Sequence, residues 1–168
     1  MNAEQLRALQ KPLKDRYRED PASAVQTLSA VGTVDFDNVT CRVDSKFAGV
    51  PAGLHPATGG SGEWACSGDM LLESLVSCAG VTLAAVATAM EIPIRAATVR
   101  AEGELDFRGT LGVSRDVPIG FSEIRVSFDL DTDADAETQA KLLKLTERYC
   151  VVFQTLKTPP TIVLVSGE

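Results

Sequence analysis

The run Met70–Met90, MLLESLVSCAGVTLAAVATAM, contains a single charged residue, Glu73. It is too long for an ordinary strand and carries no stop signal before Glu91-Ile92-Pro93, so it reads as one helix. A helix that is apolar on every side needs cover on every side. The run is therefore the central element of whatever this chain builds. It is also about long enough to cross a membrane. Glu73 inside it, its Ala, Ser and Thr content, and the acidic flanks Asp69 and Glu91 without Lys or Arg anchors favour a buried helix in a soluble core.

Around that helix the pattern changes several times. Residues 3–18 read as a short charged helix with Leu6, Leu9 and Leu13 on one stripe, bent or split at Pro12 and ended by Asp20-Pro21. From Ala24 the period becomes two, with Leu28, Ala30, Val34 and Phe36 on one face. Asp37-Asn38 then turns the chain into a returning strand, Val39 to Ser45. The Gly- and Pro-rich stretch from Ala48 to Trp64 is a loop. Ser67 is placed to cap the central helix.

Two alternating strands follow it, Ala97–Phe107 and Ile124–Leu130, separated by a loop over 109–119. A second amphipathic helix begins near Asp131–Asp135, capped by Thr132 or Asp133. Its inner stripe is read as Ala136, Ala140, Leu143 and Tyr149. Pro159-Pro160 introduces a last strand, Thr161–Val165. The order predicts an α+β fold with mostly antiparallel pairing. The boundaries are an N-terminal helical arm over 1–23 and one domain over 24–168.

Composition narrows the function. A net charge of −7 with no dense basic cluster argues against nucleic acid as a partner. The polar start, MNAEQLRALQKPLKDRYRED, lacks the apolar segment of a secretory signal, so a reducing cytoplasm is the expected compartment. Cys41, Cys66, Cys78 and Cys150 are too few and too scattered for a disulfide framework. With His55 the only histidine and no Cys-x-x-Cys, no metal site is expected, and no cofactor motif is present.

Cys78 lies deep in the central helix among the small residues Ser74, Ser77, Ala79 and Gly80. Cys150 closes the second amphipathic helix. Each, taken alone, reads first as a small core filler and second as half of a thiol redox centre. Cys66 is a third thiol in a Gly-rich segment, and Cys41 sits on a strand. A bond between Cys78 and Cys150 requires Cα atoms within about 7 Å, which spacing in sequence cannot establish.

The segments Ser67–Cys78 (SGDMLLESLVSC) and Tyr149–Leu156 (YCVVFQTL), 72 positions apart at their cysteines, resemble the two cysteine motifs of the OsmC/Ohr superfamily, the osmotically induced and organic hydroperoxide resistance proteins. The resemblance spans roughly residues 24–166. It implies an intertwined homodimer in which sheets wrap central helices and each active site draws on both chains. It also implies a thiol peroxidase. Cys78 would attack an organic hydroperoxide and become a sulfenic acid, Cys150 would resolve it to a disulfide, and an external dithiol such as a lipoylated protein would reduce the disulfide.

Against the family pattern, Gly68 stands where a carboxylate is usual, Glu147 where a histidine is usual, and Val151 where proline follows the second cysteine. Asp69 or Glu73 are the candidate replacement carboxylates, and Arg42 is the candidate activating cation. The other expectation these departures allow is a non-enzymatic dimer that binds a small hydrophobic ligand or a protein in the cleft between chains.

Overall fold

The computed structural model describes residues 2–19, 32–35, 40–43, 49, 51–112 and 114–166. Much of the expected first hairpin, including Leu28, Phe36 and the Asp37-Asn38 turn, lies outside them. In chain order the elements are α1 (Ala3–Glu19), β1 (Gly32–Asp35), β2 (Thr40–Val43), β3 (Ala52–Gly53), β4 (Ala65–Cys66), α2 (Ser67–Ala89), β5 (Ala96–Glu104), α3 (Phe107–Thr110), β6 (Glu123–Asp131), α4 (Ala136–Tyr149) and α5 (Val151–Lys157). The fold is α+β. The chain divides into two compact units.

One unit comprises Met1–Ala8, Ser74–Arg100 and Ser127–Glu168. Its core is set by spacing. Leu75, Ala79, Leu83 and Ala87 recur every four residues on α2 and are all buried. Leu83 and Ala87 meet Leu142 of α4, and Ile92, Ile94, Val99, Phe128 and Leu130 close around them. The inner stripe of α4 is Leu142, Thr146 and Cys150, while Ala136, Ala140 and Tyr149 face solvent. Of the stripe expected from sequence, Leu143 packs half-buried against the core, but the buried face is centred on Leu142 and Thr146. Thr146 is tolerated there because its hydroxyl donates to the Leu142 carbonyl at 2.9 Å. The cap of α4 is Asp135, whose side chain accepts from the Thr138 amide at 2.7 Å, rather than Thr132 or Asp133. Thr132 instead donates to the Pro93 carbonyl at 2.7 Å.

The start of α1 belongs to this unit. Asn2 and Gln5 cap it reciprocally, at 2.8 and 3.0 Å, and Arg7 pairs with Glu91 at 3.1 Å. The helix continues through Pro12 as one 17-residue element instead of splitting there.

The other unit comprises Leu9–Glu73 and Ala101–Val126. Its sheet runs β1-β2-β3-β4, antiparallel except for the β3–β4 pair. Gly53 and Gly103 are glycines by necessity of packing. A Cβ on Gly53 would lie 2.7 Å from Trp64, and one on Gly103 2.6 Å from the Phe121 ring. β5 and β6 pair through both units. The Arg95 amide donates to the Asp131 carbonyl and the Ser122 amide to the Glu104 carbonyl, each at 2.9 Å, so the two strands are antiparallel. The strand expected to reach Phe107 stops at Glu104, because Asp106 caps α3 by accepting from the Arg108 amide at 3.0 Å.

Two expectations fail within a single chain. α2 is covered on one stripe only, and Val81 on another face is 70% exposed. The segment Thr161–Ser166 forms no strand, with Ile162 87% and Leu164 97% exposed. A strand needs a hydrogen-bonded neighbour, and none of the described residues supplies one. Helix α2 meets the length and hydropathy of a membrane span, yet it carries the buried stripe of this unit.

Leu142 is fully buried at the contact between α2 and α4. Leu142→Ala is expected to cost about 2–5 kcal/mol of stability through lost burial and the cavity left behind. Urea denaturation of both proteins measures this.

Candidate active site

α4 ends at Cys150, where the backbone turns extended (φ −73°, ψ 109°) before α5 begins. The Cys150 amide still donates to the Thr146 carbonyl at 3.0 Å, and its carbonyl accepts from the Gln154 amide at 2.9 Å. Cys150 therefore closes one helix and opens the next. Its side chain does not cap α5, so the first amides of that helix have no intrahelical acceptor. A brace holds the corner. The Glu147 carbonyl accepts from Gln154 Nε2 at 2.8 Å, and the Glu147 carboxylate pairs with Lys157 Nζ at 2.6 Å.

Cys78 of α2 meets this corner. Both cysteines are free thiols; Cys78 is half-buried and Cys150 is 1% exposed. The Cys150 thiol is close enough to the Cys78 sulfur for each to shift the other's ionisation. Partial burial pushes the Cys78 thiol up. The Val152 amide, the Cys150 thiol, the Val151 amide and the Thr82 hydroxyl outweigh it, and the net direction is down. These leading influences are neutral hydrogen-bond donors; none is a cation. Cys150 moves the other way: burial raises it, and ionised Cys78 beside it raises it further against the Phe153 amide. One sulfur is thus prepared to be thiolate while its neighbour keeps a proton to donate.

Thr82 has one hydroxyl proton, donated at 2.8 Å to the Cys78 carbonyl one helical turn back. It can serve that carbonyl or the sulfur, but only one at a time. Thr82 and the amides of Val151 and Val152 were not singled out from sequence. The i, i+4 spacing of Cys78 and Thr82 is the one signal that pointed to any of them.

The other expected site residues lie elsewhere. Asp69 and Glu73 are exposed on α2, nine and five residues before Cys78. At about 100° per residue they point roughly 180° and 140° away from it around the helix axis. Arg42 lies on β2 opposite Thr33, and its side chain is outside the described part, as is that of Cys41. Cys66 belongs to the other unit. His55 accepts from the Ala57 amide at 3.0 Å and stacks on Phe107 at 4.6 Å, a local structural role. No group of three or more metal-ligating side chains occurs among the described residues.

Residues 60–165 match the family model described as OsmC-like protein. The chain belongs to the OsmC-like family. Among solved structures it is similar to an OsmC-like protein from Mycoplasma pneumoniae, with TM-score 0.67 and 15% identity over 80% of this chain and 89% of that one. It is similar to an organic hydroperoxide resistance protein from Elizabethkingia anophelis, with TM-score 0.63 and 15% identity over 80% and 91%. It is also similar to the organic hydroperoxide resistance protein OhrB of Bacillus subtilis, with TM-score 0.53 and 18% identity over 79% and 93%. At these identities the likeness is one of fold. No curated protein sequence matches the chain.

Within this OsmC-like chain, each departure from the motif has a structural consequence. Glu147 forms the brace to Lys157. Val151 brings to the Cys78 sulfur an amide hydrogen that proline lacks. Gly68 leaves a Cβ position 3.5 Å from both the Cys66 sulfur and the Phe121 ring, which is ordinary contact.

The directions of the two shifts predict selective chemistry. As pH rises, Cys78 is expected to be alkylated by iodoacetamide with a midpoint below the ordinary cysteine value of about 8.5, and Cys150 above it. Cys150→Ala removes one donor and moves the Cys78 midpoint up. Because the folded value of Cys78 is lowered, its ionisation adds stability above the unfolded value, and that gain is lost as pH falls through the folded one. Peptide-resolved alkylation rates measure both midpoints; equal midpoints contradict the assignment.

Proposed function

We propose that this protein is a thiol peroxidase that reduces organic hydroperoxides through a Cys78–Cys150 cycle, as a homodimer in the cytoplasm. The observation that carries the reading is the pair of neighbouring thiols with opposite shifts. The Cys78 thiolate donates an electron pair to the terminal peroxide oxygen, the O–O bond breaks, and the alcohol leaves after taking a proton. The sulfenic acid formed on Cys78 is then attacked by the Cys150 sulfur, with loss of water, to give a disulfide. An external dithiol returns both sulfurs to thiols. The reading assigns no step to Asp69 or Glu73, which lie on the far side of α2 from the sulfur, nor to Arg42.

The homodimer is supported by what one chain leaves uncovered. Val81 and the other exposed positions of α2, and the apolar segment Ile162–Val165, are surfaces a monomer would show to water. A second copy supplies both an apolar cover and a strand partner.

A second reading has one observation in its favour. A depression of about 370 Å³, lined by Leu83, Ala87, Ile92 and Val99 with Thr88 and Arg95 at its polar side, could seat a small ligand without any turnover.

Two measurements test the proposal. A slight excess of cumene hydroperoxide is expected to consume two thiols per chain and yield a Cys78–Cys150 disulfide by mass spectrometry. Cys78→Ser abolishes the loss, and Cys150→Ser leaves a sulfenic acid that dimedone traps. Thiols untouched after minutes, with a ligand carried through purification, favour the second reading instead. Separately, sedimentation is expected to find a dimer for the wild type and a shift toward monomer for Val81→Asp. A monomeric wild type contradicts the assembly.

A further inference from the structure

Two open depressions lie side by side on the α4–α5 corner. One, of about 440 Å³, is lined by Tyr149, Cys150, Val151, Thr155, Thr158 and Pro160. The other, of about 340 Å³, is lined by Lys141, Lys144, Leu145 and Glu147. Arg148 and Gln154 border both, so the two form one continuous groove. Its thiol end reaches Cys150. Its far end carries Lys141, Lys144 and Arg148, spaced i, i+3, i+7 along the exposed face of α4.

The charge of this face is opposite to that of the molecule. The protein has a net charge of −7, yet Lys141 and Lys144 have no carboxylate partner among the described residues, and Arg148 lies 5.6 Å over the Tyr149 ring. Three other cations of this unit are paired: Lys157 with Glu147, Arg95 with Asp131 and Asp133, and Arg7 with Glu91. Cations without a carboxylate partner beside a groove lined at its other end by Cys150 attract an anion toward that corner.

We propose that this groove is the approach path of the reducing dithiol, and that its cationic end selects a reductant bearing negative charge. The inference rests on the peroxidase reading for the existence of the disulfide and adds the class of its reductant. In the step, a thiolate of the dithiol forms a bond to the Cys150 sulfur, and the Cys78–Cys150 bond breaks. Cys78 leaves as thiolate onto the amides of Val151 and Val152. The second sulfur of the dithiol, as thiolate, then attacks its own bonded sulfur, releasing Cys150, which takes up a proton. Two electrons pass to the protein, and the reductant departs as a cyclic disulfide. Because Cys150 is 1% exposed, the step requires local opening of the corner to admit the entering sulfur.

The test uses the full-length protein oxidised with diamide, so it proceeds whether or not a peroxide can form the disulfide. Reduction is followed with dihydrolipoate, which carries a carboxylate, and with dihydrolipoamide, which does not; their thiols are otherwise matched. Dihydrolipoate is expected to be about three- to tenfold faster at low ionic strength, with the advantage fading as salt approaches 0.5 M, roughly the range over which screening removes such attraction. In Lys141→Glu/Lys144→Glu the rate ratio is expected to fall to about one or below, and Lys141→Arg/Lys144→Arg is expected to restore it. A thermal melt of each variant establishes that it is folded. A ratio near one in the wild type, a ratio indifferent to salt, or a ratio preserved in the double Glu variant overturns the proposal. Failure of cumene hydroperoxide to form the disulfide sinks the peroxidase reading alone.

Discussion

The contact between the Cys78 sulfur and the corner at Cys150 organises the chemistry available to this chain. A thiol midway along an apolar helix has no reason to ionise, since burial disfavours its charged form. What reverses the direction is a set of hydrogen-bond donors that the backbone already owns. α4 stops at a residue whose side chain leaves the next helix uncapped, and the freed amides of Val151 and Val152 turn to the sulfur. Leu142 of α4 packs against Leu83 and Ala87 of α2, and the same two helices carry Cys150 and Cys78.

Donors of this kind differ from a cation in what they give. An arginine lowers a thiol's pKa by charge and also attracts anions from a distance. Amides and hydroxyls act only at contact, so the stabilisation is confined to the sulfur itself. Val151 fits this account. Proline at the same place would start α5 equally well but would bring no hydrogen. With valine at this place the chain has an amide donor there that proline would lack.

Much of this was legible in the sequence, and the misses share a cause. The central helix, the two alternating strands and the α+β order follow from periodicities of 3.6 and 2, which depend only on which face is buried. Thr146 was missed on the buried face of α4 because it is polar, and its burial depends on a local bond to Leu142 that hydropathy does not register. Cys78 and Cys150 each looked like core filler, and only motif resemblance joined them. Their meeting depends on how two helices pack, and no local pattern encodes that. Asp69 and Glu73 sat close to Cys78 in number but around the helix from it in space. The all-round cover expected of α2 and the strand expected at Thr161–Val165 are absent from the single chain, where Val81 and Ile162–Val165 are exposed.

The distribution of charge carries the same lesson one step outward. Surface ion pairs contribute little to stability, so most of the pairs here could be rearranged at small cost. What cannot be rearranged cheaply is the sign of the field near a sulfur that must receive a nucleophile. Glu147 illustrates the balance. Its carboxylate lines the groove, where it would repel an anionic thiolate, but it pairs with Lys157 while its carbonyl fixes Gln154 at the groove's edge. With that carboxylate occupied, Lys141, Lys144 and Arg148 set the sign of the groove. In an acidic protein, three cations gathered on one face of α4 give that face a local sign opposite to the net charge.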